Sequence, residues 1–149
     1  MRLACYQPEI AGNMGAVLRL AACYGIAIDV IEPCGFVFSD SKMRRAGMDY
    51  AAHVRVERHA DWATFRAATP ARLILLTTKT DQRLHDFDFA ATDTLVMGSE
   101  SSGVPIDVAQ SCDAAIRIPI SRDVRSLNLA VAAAIALTEA LRQTGELPA

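Results

Sequence analysis

Short apolar runs, four to six residues long, recur along this chain and alternate with longer stretches of helical character. Arg2 to Tyr6, Ala27 to Ile31, Val54 to Glu57, Arg72 to Thr77, Thr94 to Met97 and Ala115 to Ile120 read as strands. Between them lie predicted helices: Asn13 to Tyr24, capped by Asn13 and stopped by Gly25; Ser39 to Ala46, basic and ended at Gly47; and Asp61 to Ala68, capped by Asp61, with Trp62 and Phe65 on one face. Two more follow, Ile106 to Ser111 and a long final helix from Leu127 to Thr144, opened by Ser126 with Asn128 just inside and stopped by Gly145 and Pro148. Strands separated by helices cannot pair through tight turns. Each needs a crossover, so the pattern demands an α/β fold with a largely parallel sheet.

The 149 residues, 52% apolar and 21% charged, suit one domain spanning 1–149 with a real core, neither disordered nor membranous. Gln7 and Glu9 interrupt any secretory h-region. The most apolar stretch, Leu127 to Leu141, is broken by Asn128, Thr138 and Glu139 and is shorter than the roughly 20 residues a membrane span needs. A cytoplasmic protein without membrane contact is expected. Cys5, Cys23, Cys34 and Cys112 form no C-x-x-C, and His53, His59 and His85 are scattered, so the reading is buried free thiols and no metal site. A net charge of -2 confines any nucleic-acid contact to a local patch or to patches pooled by two chains.

In an open parallel sheet, ligands bind beyond the carboxyl ends of the strands, and three segments rich in glycine and small polar residues fall there. Gly12-Asn13-Met14-Gly15 leads into the helix that carries Arg19; it is either an anion contact or a plain cap with a solvated arginine. Gly98 to Pro105 brackets a polar loop containing Glu100 after a buried strand, and reads equally as a ligand loop or a strand-to-helix turn. It has neither the spacing of a nucleophile elbow nor the ending of a P-loop. In Ile118 to Leu129, Asn128 heads an apolar helix and needs a partner, which a ligand or a neighbouring loop can supply.

Taken in order, these segments resemble the SPOUT methyltransferases, and within them the minimal tRNA (cytidine/uridine)-2'-O-methyltransferases of the wobble nucleotide. The likeness spans nearly the whole chain: Tyr6-Gln7-Pro8-Glu9-Ile10 with Asn13 and Gly15, Ile31-Glu32-Pro33-x-Gly35-Phe36, and Arg44-Arg45-Ala46-Gly47-Met48-Asp49-Tyr50. It continues in Leu76-Thr77-Thr78-Lys79, Gly98 to Pro105 and Arg125-Ser126-Leu127-Asn128-Leu129. The resemblance implies a C-terminal trefoil knot and an S-adenosyl-L-methionine pocket lined by Leu76, Gly98, Gly103, Ile118, Ser126 and Leu127. It implies a role for Arg19 in activating the ribose 2'-hydroxyl, and for Asn13, Glu100, Ser126 and Asn128 in orienting loops and substrate. It further implies a homodimer with tRNA across the junction, gripped by Lys42, Arg44 and Arg45; Arg55 and Arg58 read as solvated surface. The chain departs from many relatives at Thr138, where they carry Tyr, and from some at Ser102 and Val131, where they carry Arg and Asn. Rival readings are a 2'-O-methyltransferase of another RNA such as rRNA, a non-catalytic RNA binder with the same fold, and an unrelated nucleotide-binding enzyme.

Overall fold

Six strands form a single sheet in the order β3-β2-β1-β5-β4-β6, and every neighbouring pair is parallel. They are β1 (Arg2–Tyr6), β2 (Ala27–Ile31), β3 (Val56–His59), β4 (Leu73–Leu76), β5 (Thr94–Met97) and β6 (Ala114–Ile116). The helices are α1 (Ala11–Tyr24), α2 (Trp62–Ala68), α3 (Ile106–Gln110) and α4 (Leu129–Thr144). This computed structural model describes residues 1–38 and 49–149, so the helix expected over 39–46, and with it Lys42, Arg44 and Arg45, lies outside the described residues.

Both faces of the sheet are covered, as its near-continuous apolar strands require. Alternation along β1 sends Leu3 and Cys5 to one side, where Ile28, Val30, Ile74, Leu95 and Met97 join them under α1 and α4. Ala4 and Tyr6 point the other way and meet Ile31, Leu73, Leu75 and Val96 under Phe65 of α2 and Val108 of α3. On α4, Ala133, Ala136 and Ala140 are fully buried, so this helix approaches the sheet and α1 closely. Tyr24 and Thr138 bridge α1 and α4 with oxygens 2.8 Å apart. The Thr138 hydroxyl donates to the Ala134 carbonyl at 2.7 Å, so the shared proton comes from Tyr24. α1 ends at Gly25, whose φ of 66° lets its N–H turn back onto the Ala22 carbonyl.

Several expected boundaries move. β3 begins at Val56, two residues late, because 49–53 form a 3-10 helix that periodicity does not signal. β6 stops at Ile116 and not near Ile120, since its partner β4 ends at Leu76, opposite Ile116. A short 3-10 turn at Leu84–Asp86 also escapes the sequence pattern. Asp61 caps α2 as expected, accepting from the Thr64 N–H at 2.7 Å. Asn13 is not a cap: α1 starts at Ala11, with Ile10 in the cap position and no side-chain bond. Ser126 does not open α4 either; Asn128 does, accepting from the Ala130 and Val131 amides at 2.9 and 3.3 Å. Of the four thiols only Cys5 is fully buried, while Cys23 is exposed.

Candidate active site

The two residues that lead into α1, Glu9 and Ile10, have amides in need of acceptors, and a distant loop supplies the acceptor. The carboxylate of Glu100 receives the backbone N–H of Glu9 at 2.8 Å, that of Ile10 at 3.2 Å, and the Asn13 side-chain amide at 3.1 Å. A negative charge at a helix N-terminus is favoured by the helix dipole as well. The exchange is reciprocal, since Glu9 accepts from the Ser101 amide at 2.8 Å and the Ser101 hydroxyl at 2.6 Å. Those Ser101 bonds, the hydroxyl first and the amide second, hold the Glu9 carboxyl below its ordinary value. Asn13 passes the chain of contacts on: its oxygen accepts from the Asn128 amide at 2.9 Å, while the Asn128 oxygen caps α4. Glu100, Asn13 and Asn128 thereby tie the loop after β5 to the starts of α1 and α4.

The loop itself is closed across its base. Ser99 and Gly103 exchange two backbone bonds of 2.9 Å, and the Ser99 hydroxyl donates to the Gly103 carbonyl at 3.0 Å. Ser102 then donates to Ser99 at 2.9 Å. Gly98 is required by close approach: a Cβ there would stand 2.7 Å from the Gly103 Cα. Gly103 has φ of 69°, the left-handed region that glycine enters freely.

Register places the cofactor-pocket candidates at one sheet edge. Leu76 pairs with Met97 on one side and Ile116 on the other, so Leu76, Gly98 and Ile118 lie at the carboxyl ends of β4, β5 and β6. Gly103 packs on Gly98, and the Asn128 anchor brings Leu127 to the same end. Leu76, Ile118 and Leu127 are half-buried. Among the described residues, the backbone N–H groups of Ile118, Ile120 and Leu127 have no protein acceptor. Ser126 is exposed and its side chain makes no hydrogen bond among the described residues. Arg19 stands apart from the Glu100 network: it is exposed on α1, with its guanidinium 5.0 Å from the centre of the Tyr50 ring, in a groove with Ala16, Leu20, Ala130 and Val131. Arg55 and Arg58 are paired with Glu57 and Glu32, in keeping with solvated surface.

Thiol chemistry has no support. Burial pushes Cys5 up to about 12, and Cys34 and Cys112 up to about 11, so all three remain protonated at neutral pH. One group among the described residues has metal-ligand spacing, Asp29, Glu57 and His59. Arg2 already engages it, bonding both oxygens of the buried Asp29 at 2.8 and 2.9 Å and Glu57 at 3.3 Å, so the cluster is an ion-pair network on the sheet. Glu9, Ser99, Ser101 and Tyr50 were not singled out by sequence reasoning. Glu9 and Tyr50 lie within the quoted motif segments, but their partners are distant in sequence or on another element.

A sequence model of the SpoU rRNA Methylase family matches residues 1–138. A tRNA (cytidine(34)-2'-O)-methyltransferase of Beijerinckia indica is 52% identical over 148 residues, covering 97% of this chain and 92% of that one. The protein of the same name from Escherichia coli K12 is 38% identical, covering 97% and 94%. A solved structure described as giving structural insights into the 2-OH methylation of C/U34 on tRNA superposes with a TM-score of 0.90 at 41% identity, covering 95% of this chain and 94% of the other. The AdoMet-bound rRNA methyltransferase from Sinorhizobium meliloti superposes with a TM-score of 0.82 at 27% identity, over 95% of this chain and 55% of that larger one. On sequence and on fold alike, the chain belongs to the SpoU rRNA methylase family.

Proposed function

We propose that this protein is an S-adenosyl-L-methionine-dependent methyltransferase of the ribose 2'-hydroxyl of the wobble nucleotide, cytidine or uridine 34, in tRNA. The observation that carries the reading is the hydrogen-bonded chain Glu100–Asn13–Asn128, which joins the Gly98–Gly103 loop to α1 and α4 at the carboxyl edge of the sheet. The names of the close relatives supply the substrate.

The residues present fit the cofactor. Leu76, Ile118 and Leu127 offer half-buried apolar surface beside Gly98 and Gly103. The amides of Ile118, Ile120 and Leu127 offer hydrogen bonds that nothing among the described residues uses. An apolar cradle with free backbone donors suits an adenine ring and a ribose without any charged side chain. When bound, S-adenosyl-L-methionine would supply an electrophilic methyl group on a sulfonium centre. The protein's share is alignment and charge. Arg19 favours the alkoxide as the 2'-hydroxyl gives its proton to a substrate phosphate or to water; a protonated guanidinium does not serve as the base. Asn13, Glu100 and Asn128 act as positioning residues that hold the loop and both helices in register, and Ser126 is exposed beside them for contact with cofactor or substrate.

The same reading includes a trefoil knot. Its support is that β6 and its extension run between β4 and the segment 82–84: Arg117 bonds both Gln82 and Leu84, and Phe89 beyond them bonds Gln143 of α4. It includes a homodimer as well, supported by the apolar surface on α4, where Val131 and Ile135 are 48% and 39% exposed beside Ala134 and the α1 groove. Two copies would double the basic residues available to RNA in a chain of net charge -2, including Lys42, Arg44 and Arg45. No helix among the described residues is long and apolar enough to cross a membrane; the reading assigns the enzyme to the cytoplasm, where a tRNA substrate is at hand, and gives it no metal. Calorimetric titration with S-adenosylhomocysteine should give one site per chain, and unmodified tRNA incubated with the methyl donor should gain a 2'-O-methyl at nucleotide 34. Binding without methylation of any tRNA would overturn the substrate; no binding by the folded protein, with or without tRNA, would overturn the reading altogether.

A further inference from the structure

Cations on this protein fall into two classes. Seven arginines are held by carboxylates, among them Arg2 and Arg72 at the amino ends of β1 and β4, and Arg142 near the end of α4. Among the described residues, Lys79, Arg117, Arg122 and Arg125 have no carboxylate within ion-pair distance, and Arg19 is the only other such side chain. These four are not scattered. Lys79 lies in the segment after β4, and Arg117 directly follows β6. Arg122 and Arg125 belong to the run 121–126, in which six successive residues are exposed. The first two segments are stitched together, because the Arg117 amide donates to the Gln82 carbonyl at 2.9 Å and the Thr80 hydroxyl to Ala115 at 3.4 Å.

Arg117 carries a second, independent signal. Its Nε is buried and makes no hydrogen bond, one of only two such side-chain atoms among the described residues. Both backbone groups are pinned, the amide to Gln82 and the carbonyl to Leu84 at 2.8 Å, so the base of the side chain is fixed. The terminal nitrogens of this half-buried guanidinium are not among those buried atoms and have no acceptor among the described residues, and a phosphate oxygen is an acceptor that suits them. Flanking exposed cations make a succession of anions the better match than a single one.

We infer that Arg117, with Lys79, Arg122 and Arg125, forms a track for the RNA phosphate backbone along the carboxyl ends of β4 and β6, with Arg117 seating one phosphate. The inference rests on the methyltransferase reading and adds to it the surface that grips the substrate, one that does not depend on Lys42, Arg44 or Arg45. Phosphate contacts of this kind release counterions, so each appears in the salt dependence of binding, by about 0.7 in the slope of log affinity against log salt for single strands.

The test measures binding of unmodified tRNA by the dimeric wild type, R117Q and R122Q/R125Q from about 50 to 200 mM salt, together with S-adenosylhomocysteine affinity. R55Q and R142Q, which remove cations already neutralised by Glu57 and Glu139, serve as controls. The track predicts a slope lowered by about 0.7 for R117Q and about twice that for R122Q/R125Q, with unchanged controls and unchanged S-adenosylhomocysteine binding. Wild-type slopes in both variants would overturn the track while leaving the methyltransferase reading intact. Weakened S-adenosylhomocysteine binding by R117Q at an unchanged slope would assign the guanidinium to the cofactor carboxylate and overturn the track too. If R117Q loses its fold by circular dichroism, R122Q/R125Q decides alone. A wild type that neither binds nor methylates tRNA fails at the level of the function itself.

Discussion

Asn128 caps α4 from within its own first turn, whereas Glu100 holds the two residues that lead into α1 from 90 and 91 positions away. Glu100→Gln keeps the shape and removes the charge, and either the Glu9 amide or the Ile10 amide together with Asn13 then loses its acceptor. A destabilisation of about 1–2 kcal/mol is expected by urea titration. Asn128→Ala, which deletes a cap, belongs in the same range of about 0.5–2 kcal/mol. Glu9 gives a pH dependence with a definite sign. Its folded value lies below the ordinary 4.5, so its contribution is complete above that value and is lost as pH falls through the lower folded value. The acid limb of the wild-type stability curve should therefore be steeper than that of Glu9→Gln. Arg19 lies outside this network, so Arg19→Ala should leave S-adenosylhomocysteine affinity unchanged while methyl transfer drops by about 10²–10³, the usual consequence of removing one group that stabilises developing charge. Equal losses in both would assign Arg19 to binding.

Among the elements, those built from local rules were legible in the sequence. Alternating apolar runs gave β1, β2, β4 and β5, and Asp61 announced α2 through its own cap. Where the chain depends on a remote partner, the local signal misled. Asn13 has the chemistry of a cap, but Glu100 serves the amides ahead of it and leaves Asn13 free to reach Asn128. Ser126 likewise resembles a cap two residues too early. The resemblance singled out Glu100, Asn13 and Asn128, whereas the bonds that join them were not legible, because a hydrogen bond between residues 87 or 115 apart leaves no local pattern. The loop after β5 shows which spacing is strict. A methyl group at Gly98 would press on the Gly103 backbone, so Gly98→Ala should open the loop and weaken S-adenosylhomocysteine binding at least tenfold by calorimetry, with a smaller change in stability. Unaltered affinity would show that the loop's closure is not used by the ligand.

At the scale of the whole molecule, the grooves on either side of α4 are where the proposed dimer would close. One is lined by α1 and the first half of α4, the other by Leu84, His85, Ile135, Thr138 and Glu139. Placing a charge on that surface with Val131→Asp or Ile135→Asp should convert a dimer into monomers in sedimentation, with the far-ultraviolet circular dichroism preserved. Sedimentation as a dimer in both variants would move the interface elsewhere. A sheet in which every neighbouring pair is parallel also has a kinetic consequence. No two strands can be joined by a hairpin, and central β1 finds one partner in β2 but must wait for β5, whose paired residues lie 92 positions further along the chain. The entropy of closing such loops is lost before the contacts that repay it form. Refolding is therefore expected to be slow and its yield to fall as chain concentration rises, because unpaired strand edges wait for their partners.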